Sequence, residues 1–291
     1  MDARTLKQFL ALAETLHFGR AAELSHVSPS ALSRGIQRLE AEAGAALFER
    51  DNRSVSLTAA GRTFLAYARD SLRDWEAIRH RLMAEAGVLR GEVRFYCSVT
   101  ASYSFLFDIL ARVRRHHPQI EIKLHTGDPE DAIGRVQGGL EDIAIAARPE
   151  RLPAGLAFRL IEVSPLAFIV ARDHELARRE QPDADDWRDC PMILSERGLA
   201  RTRVDRWFRR RGVRPNIYAQ VAGNEAIVSM VSLGFGVGVV PRIVLDNSPL
   251  AENVAVLQVA PALAPYEVGL VTQEKSLANP LIRAVWSPDE D

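Results

Sequence analysis

Apolar positions near the start of the chain follow a helical period and then an alternating one. Arg20 to Leu24, with Ala21 and Ala22, reads as a short helix, and Ser25-His26-Val27 as a three-residue turn. Ser28-Pro29 then opens a second helix, Ser28 capping the free N–H groups and Pro29 occupying the first position, where a missing N–H costs nothing. That helix is predicted to run to about Ala43 and stop at Gly44. At about 100° per residue, Leu32, Ile36 and Leu39 form one stripe, while Ser30, Arg34, Gln37, Arg38 and Ala41 spread over the opposite side. Leu47-Phe48-Glu49-Arg50 and Ser54-Val55-Ser56-Leu57 alternate around Asp51-Asn52-Arg53, which predicts a β-hairpin carrying two arginines. From Thr58 to about Ala86 a single long helix is expected, apolar at Leu65, Ala68, Leu72, Trp75 and Leu82, with a break by Gly91.

Beyond Gly91 the period changes. Val93, Phe95, Cys97 and Val99 alternate as a strand, Phe105 to His117 is amphipathic, and Ile120, Ile122 and Leu124 resume the strand period. A helix around Glu130 to Gln137 precedes the apolar run Ile143 to Ala146, suited to a buried parallel strand. The alternation restarts at Leu166 to Val170. It continues through strands at Met192 to Leu194, Ile217 to Val221 and Val237 to Val240, with helices from about Ala200 to Arg210 and Asn224 to Leu233. Strands near Val254 to Val259 and Val268 to Thr272 lead to a last helix around Asn279 to Trp286. Two α/β lobes are predicted, joined by crossings near Glu162-Val163 and Tyr266-Glu267.

These patterns carry two kinds of chemistry. A winged helix-turn-helix offers hydroxyls near the helix start and guanidinium and amide groups farther along, the equipment for phosphate contact and base-edge readout. The DNA-contacting set is therefore Arg20, Ser28, Ser30, Ser33, Arg34, Gln37 and Arg38, with Arg50 and Arg53 on the wing. In open α/β sheets ligands lie beyond the carboxyl ends of strands, so a cleft between the lobes is the expected small-molecule site. Strand ends and helix starts place Ser98, Thr100, Ser102, Thr126 and Ala147 there from one lobe. Ser195, Arg201, Arg203 and Asn224 come from the other. For each of these residues helix capping is an equal explanation; as a converging set they suit a carboxylate.

Phe18-Gly19-Arg20-Ala21-Ala22, Ser28-Pro29-Ser30-Ala31-Leu32-Ser33-Arg34, Leu39-Glu40, Leu47-Phe48-Glu49-Arg50 and Leu57-Thr58-Ala59-Ala60-Gly61 resemble the N-terminal signature of LysR-type transcriptional regulators. One position departs: Gly35 stands where the family usually has glutamine, at a cost of roughly 1 kcal/mol in helix propensity and one DNA-facing side chain. The resemblance implies a winged helix-turn-helix domain over 1–58, a linker and dimerisation helix over 59–87, and a two-lobed α/β effector domain, similar to periplasmic binding proteins, over 91–291. Lobe I would take about 91–162 and 268–291, and lobe II about 163–267. It also implies double-stranded operator DNA as partner, a homodimer or homotetramer, contact with RNA polymerase, and an effector site using the segment Ser98-Val99-Thr100.

Further segments, His17-Phe18-Gly19-Arg20, Phe95 to Ala101, Ile122 to Asp128, Trp207 to Arg210 and Glu225 to Val231, resemble one subgroup, the IlvY activators of acetohydroxyacid isomeroreductase genes. That likeness implies acetolactate or acetohydroxybutyrate as co-inducer and no other cofactor. A regulator of another pathway, sensing a different small carboxylate, is the alternative.

Composition narrows the classes further. A hydrophobic fraction of 47% and a charged fraction of 26% are those of a globular protein, and a net charge of -1 makes DNA binding depend on placement of charge, not its sum. The N-terminus lacks an apolar signal core, and the uncharged run Ala226 to Pro241 is short and glycine-rich for a membrane span, so a cytoplasmic protein is expected. The absent signal core and the attached DNA-binding unit also argue against a solute-binding transport role. Cys97 and Cys190 lack CxxC spacing and read as packing residues. Catalysis is not expected: there is no Ser-nucleophile elbow, His116-His117 has no metal-ligand spacing, and Gly234 to Gly238 lacks the context of a dinucleotide fingerprint.

Overall fold

Ser28 accepts a hydrogen bond from the Ala31 N–H at 3.2 Å, Pro29 takes the first position and Gly44 ends the helix in the left-handed conformation at φ 69°, so helix α3 spans Pro29–Ala43. Leu32, Ile36 and Leu39 are its buried stripe. They pack against α1 (Ala3–Thr15) and α2 (Phe18–Leu24), whose contributions are Leu6, Phe9, Leu12, Ala21 and Ala22. Each fully buried leucine or isoleucine contributes about 1.5–3 kcal/mol, enough to hold a three-helix unit around one apolar centre. The structure is a computed structural model that describes residues 2–51, 54–84, 89–180, 182 and 184–287.

The wing is an antiparallel pair, β1 (Phe48–Arg50) with β2 (Val55–Leu57), in the register Phe48↔Leu57. Helix α4 follows over Ala59–Ala84. Its Ala68 and Leu72 belong to the DNA-binding core, with Phe64 and Leu65 packed beside them. The first half of the apolar seam is thus buried within the DNA-binding unit itself. The second half differs: Trp75, Ile78, Leu82 and Met83 are 56%, 42%, 63% and 46% exposed.

The chain divides into two compact units, Met1–Gly87 and Val88–Asp291. In the second, β3 (Gly91–Cys97), α5 (Val99–Ser104), α6 (Leu106–His116), β4 (Ile120–Thr126), α7 (Ala132–Gln137), β5 (Ile143–Ala147) and β6 (Leu156–Ser164) begin lobe I. Lobe II contains β7 (Leu166–Ala171), α8 (Ala184–Asp189), β8 (Pro191–Ser195), α9 (Gly198–Arg210), β9 (Asn216–Val221), α10 (Asn224–Ser232), β10 (Val237–Pro241), α11 (Arg242–Asp246) and β11 (Val254–Leu257). The chain then returns to lobe I as β12 (Tyr266–Gln273) and α12 (Pro280–Trp286).

Each lobe has a five-stranded sheet, ordered β4-β3-β5-β12-β6 and β11-β7-β10-β8-β9. β3, β4 and β5 run parallel, and β12 is antiparallel to both β5 and β6. The sequence pattern does not announce β6, an edge strand whose faces are mostly half-buried or exposed. Because β6 stays in the lobe I sheet to Ser164 and β12 joins it at Tyr266, the crossings lie at Pro165 and just before Tyr266 rather than at Glu162-Val163 and Tyr266-Glu267. Lobe I packs α6 and α12 onto Phe95, Ile143 and Leu270. Lobe II is centred on Phe168, Trp187, Trp207 and Phe208, with the Phe168 ring 5.0 Å from Trp187 and 4.9 Å from Trp207. The two cysteines sit in these cores, and burial pushes both thiols up to about 11, which keeps them protonated and unreactive.

Candidate DNA-binding face and effector cleft

The exposed side of α3 is built by what its other side must bury. With Leu32, Ile36 and Leu39 turned inward, Ser30, Arg34, Gln37 and Arg38 are exposed, Ser33 is half-buried at the edge, and Arg20 of α2 is exposed as well. The Ser28 hydroxyl is engaged in capping, with Ser30 Oγ 3.1 Å away. Gly35 lies on the flank toward α1, where a Cβ would come within 3.1 Å of Gln8 Oε1.

Glu40, which dilutes the basic charge of this unit in the sequence, has a structural task. Its Oε1 accepts from the Leu47 and Phe48 N–H groups at 2.9 and 3.1 Å, and its Oε2 pairs with Arg50 at 2.7 Å. The Arg50 guanidinium also lies 5.1 Å from the centre of the Phe18 ring. Arg50 therefore ties the wing to α2 and α3, a role the DNA-contact expectation did not include. Arg53, the other wing arginine, lies outside the described residues.

Between the lobes, Ser98, Thr100, Ala147 and Asn224 come together around a cavity of about 40 Å³, closed by Phe105, Pro129 and Tyr266 among others. Ser98 caps α5 through the Ala101 N–H at 3.2 Å. Asn224 also lines a smaller recess, with Ser195, beside Asp128, Glu130 and Arg197. A roomier recess of about 400 Å³ between the same lobes is walled by Ile133, Leu199 and several prolines, with Glu150 and Arg151 at its edge.

Four expected residues line none of these recesses. Ser102 donates to the Val99 carbonyl at 2.6 Å, and Thr126 is exposed at the end of β4. Arg201 is used up inside lobe II: it donates to Asp205, to the Ser195 carbonyl at 3.0 Å and to Gln220 Oε1 at 2.6 Å. Arg203 donates to the Ala264 and Pro265 carbonyls and lies over the Tyr266 ring. Both arginines were expected at the effector site; in this structure these acceptors hold their guanidinium groups away from the recesses. Asn224 was expected to cap α10, but Gly223 is the cap residue and Asn224 the first helical one.

What crosses the cleft instead is a set of side chains that the sequence did not single out. Glu225 of lobe II accepts from the Thr100 N–H at 3.0 Å and from Thr100 Oγ1 at 2.5 Å. Arg197 of lobe II pairs with Asp128 at 3.0 Å and Asp131 at 2.8 Å in lobe I, and Arg206 with Glu150 at 2.6 Å. Glu130 accepts from the Tyr266 hydroxyl and from a backbone group at Leu199, at the start of α9. Burial, then the neighbouring Asp128 carboxylate, raise its pKa above the ordinary glutamate range.

Residues 3–62 match the model of the bacterial regulatory helix-turn-helix proteins of the lysR family, and residues 86–287 match the LysR substrate binding domain. The chain belongs to the LysR family. It is 46% identical over 290 residues to the HTH-type transcriptional activator IlvY of Salmonella typhimurium, covering 98% of each chain. A full-length OxyR variant from Pseudomonas aeruginosa has the same fold, with a TM-score of 0.71 at 24% identity over 98% of this chain and 94% of that one. CbnR complexed with its target DNA also shares it, with a TM-score of 0.66 at 24% identity, covering 98% and 97%. A LysR-family chain is a DNA-binding transcriptional regulator with an effector domain, not an enzyme. Among the described residues no cluster is fit to hold a metal ion, and no helix is long and apolar enough to cross a membrane.

The residues that sequence reasoning missed in this LysR-family regulator are long-range ones. Glu225 and Thr100 are 125 positions apart, and an acid in the first turn of a helix reads as ordinary dipole compensation. The one available signal was that Glu225 opens a segment, through Val231, that resembles the IlvY subgroup.

Proposed function

We propose that this LysR-family regulator activates expression of acetohydroxyacid isomeroreductase in branched-chain amino-acid synthesis, with acetolactate or acetohydroxybutyrate as co-inducer bound between the lobes. The observation that carries this reading is the 46% identity to an IlvY activator across 98% of both chains, which spans both the DNA-binding unit and the cleft. The cleft chemistry agrees with it. Thr100 supplies a backbone and a hydroxyl donor, and Ser98 and Asn224 stand in the same cavity for hydroxyl and keto oxygens.

On the DNA side, Arg34, Gln37 and Arg38 with Ser30 and Ser33 are the major-groove contacts. Arg20 and the wing arginine Arg53 serve phosphate, and Ser28 positions the helix start. The exposed apolar half of α4, from Trp75 to Met83, supports a homodimer built on this helix. The step from dimer to tetramer and the contact with RNA polymerase follow from the family resemblance. Effector binding then acts by favouring one arrangement of the lobes over another, since a ligand shifts an equilibrium only through its difference in affinity.

Calorimetry on the full chain with racemic acetolactate, using pyruvate and 2-ketoisovalerate as controls, tests the effector. Selective binding of acetolactate is expected. A folded protein that ignores it would leave a regulator of another pathway, tuned to a different small carboxylate, as the reading to pursue.

A further inference from the structure

The most consequential of the cleft-crossing contacts sits on the very donors that the effector reading requires. Glu225 belongs to the first turn of α10 in lobe II, yet its Oε1 takes two hydrogen bonds from Thr100 in lobe I, at 3.0 Å from the backbone N–H and 2.5 Å from Oγ1. Thr100 is only 6% exposed, so its donors meet little water, while Glu225 reaches them from an exposed position on α10. Local capping does not account for the reach, because the cap of α10 is Gly223, with no side chain, and Glu225 extends away to the other lobe. Two bonds to one carboxyl oxygen, one of them short, make a strong contact.

The cavity beside it points the same way. A water needs about 10–15 Å³, so the 40 Å³ beside Thr100 has room for about three waters, less than a branched hydroxy keto acid requires. A ligand that reaches the Thr100 donors has to displace the Glu225 carboxylate, which joins lobe II to lobe I there.

We infer that Glu225 is an internal stand-in for the effector carboxylate: in the ligand-free protein it occupies the Thr100 donors, holds lobe II to lobe I there, and is displaced when a ligand binds. The displacement rests on the small-carboxylate reading proposed above; the latch itself rests on geometry alone. A consequence for specificity follows. A simple monocarboxylate replaces one carboxylate by another and gains little. A ligand that adds hydroxyl and keto contacts, at Ser98 and Asn224, gains enough to shift the equilibrium. Glu225 is then a specificity-determining residue that rejects ligands offering a carboxylate and little else.

The experiment compares the full-length wild type with Glu225→Ala and Glu225→Gln by hydrogen exchange and calorimetry. The Thr100 N–H, in the first turn of α5, has Glu225 as its acceptor, so a peptide containing Thr100 reports the latch directly. In Glu225→Ala this amide is expected to exchange at least about tenfold faster, with Glu225→Gln between the two. Racemic acetolactate is expected to bind Glu225→Ala about tenfold more tightly, because the closed fraction no longer reduces its apparent affinity. Pyruvate, silent with the wild type, gains measurable heat. Unchanged protection at Thr100 overturns the latch, and faster exchange without gained affinity for either acid overturns displacement. If exchange and pyruvate binding rise while acetolactate binds neither protein, the latch stands and the assignment of acetolactate falls.

Discussion

At Gly198 the backbone has φ +96°, and a Cβ there would overlap the Glu130 carboxyl. The two positions are one design: the left-handed residue opens the start of α9 so that a carboxylate from the other lobe reaches the Leu199 backbone. Gly198→Ala is therefore expected to destabilise the protein by about 1–3 kcal/mol, read as a lower urea midpoint with an unchanged slope. Glu130 adds a pH dependence. Burial and Asp128 raise its pKa in the folded protein above the ordinary 4.5, so the folded state keeps that proton to higher pH than the unfolded chain. Within that window the folded state binds more protons, and stability falls as pH rises. Relative to Glu130→Gln, which lacks the proton, the wild-type melting temperature should decline from pH 4.5 upward and then level off; a constant difference across the range would show that Glu130 is not held this way. None of this was legible in the sequence. Glycine before a helix and glutamate before another look like ordinary punctuation until the fold brings them together. The same holds in reverse for Arg201 and Arg203, whose charge suggested ligand contact but whose acceptors at Ser195, Ala264 and Pro265 are backbone carbonyls that no motif reveals.

Elements were more legible, because their signals are local. Ser28, Pro29 and Gly44 mark both ends of α3, and the stripe of Leu32, Ile36 and Leu39 settles which side is left for DNA. Ser28→Ala should cost about 1 kcal/mol of stability through the lost cap. Arg34→Ala should leave stability nearly unchanged and weaken binding to the promoter DNA of the host's isomeroreductase gene, with a shallower salt dependence if Arg34 contacts phosphate, or lost sequence preference at unchanged slope if it reads a base. The elements that pattern did not announce fail for identifiable reasons. β6 is an edge strand with no clean alternation, and it is recruited by β12 from across the crossing. α4 shows how one apolar seam serves two ends. Its Ala68 and Leu72 complete the DNA-binding core, while Trp75 and Leu82 stay exposed. Replacing Trp75 and Leu82 together by glutamate should convert a dimer to monomer in analytical ultracentrifugation with the melting temperature of the DNA-binding unit preserved; an unaltered sedimentation coefficient would place the dimer interface elsewhere.

At the scale of the whole chain, a net charge of -1 leaves no general attraction to DNA, so operator binding must come from placed groups. The effector domain can influence those groups only through a coupling that thermodynamics makes reciprocal. If acetolactate alters operator affinity by some factor, operator DNA must alter acetolactate affinity by that same factor, whatever path connects the two units. The ion pairs Arg197–Asp128, Arg197–Asp131 and Arg206–Glu150 bridge the lobes alongside Glu225, and being largely exposed they are screened by salt. At the Thr100 contact the donor residue is buried, although Glu225 is exposed, and the Thr100 N–H and hydroxyl carry no net charge to be screened. Raising ionic strength should therefore weaken DNA binding steeply while changing acetolactate affinity little, so the coupling factor, taken as the ratio of acetolactate affinities with and without saturating operator, should persist as long as the complex does. Titrating acetolactate into the regulator and into its operator complex at two salt concentrations measures all four affinities. Equal ratios would place the switch at the Thr100 contact, and a ratio that collapses with salt would move it to the ion pairs.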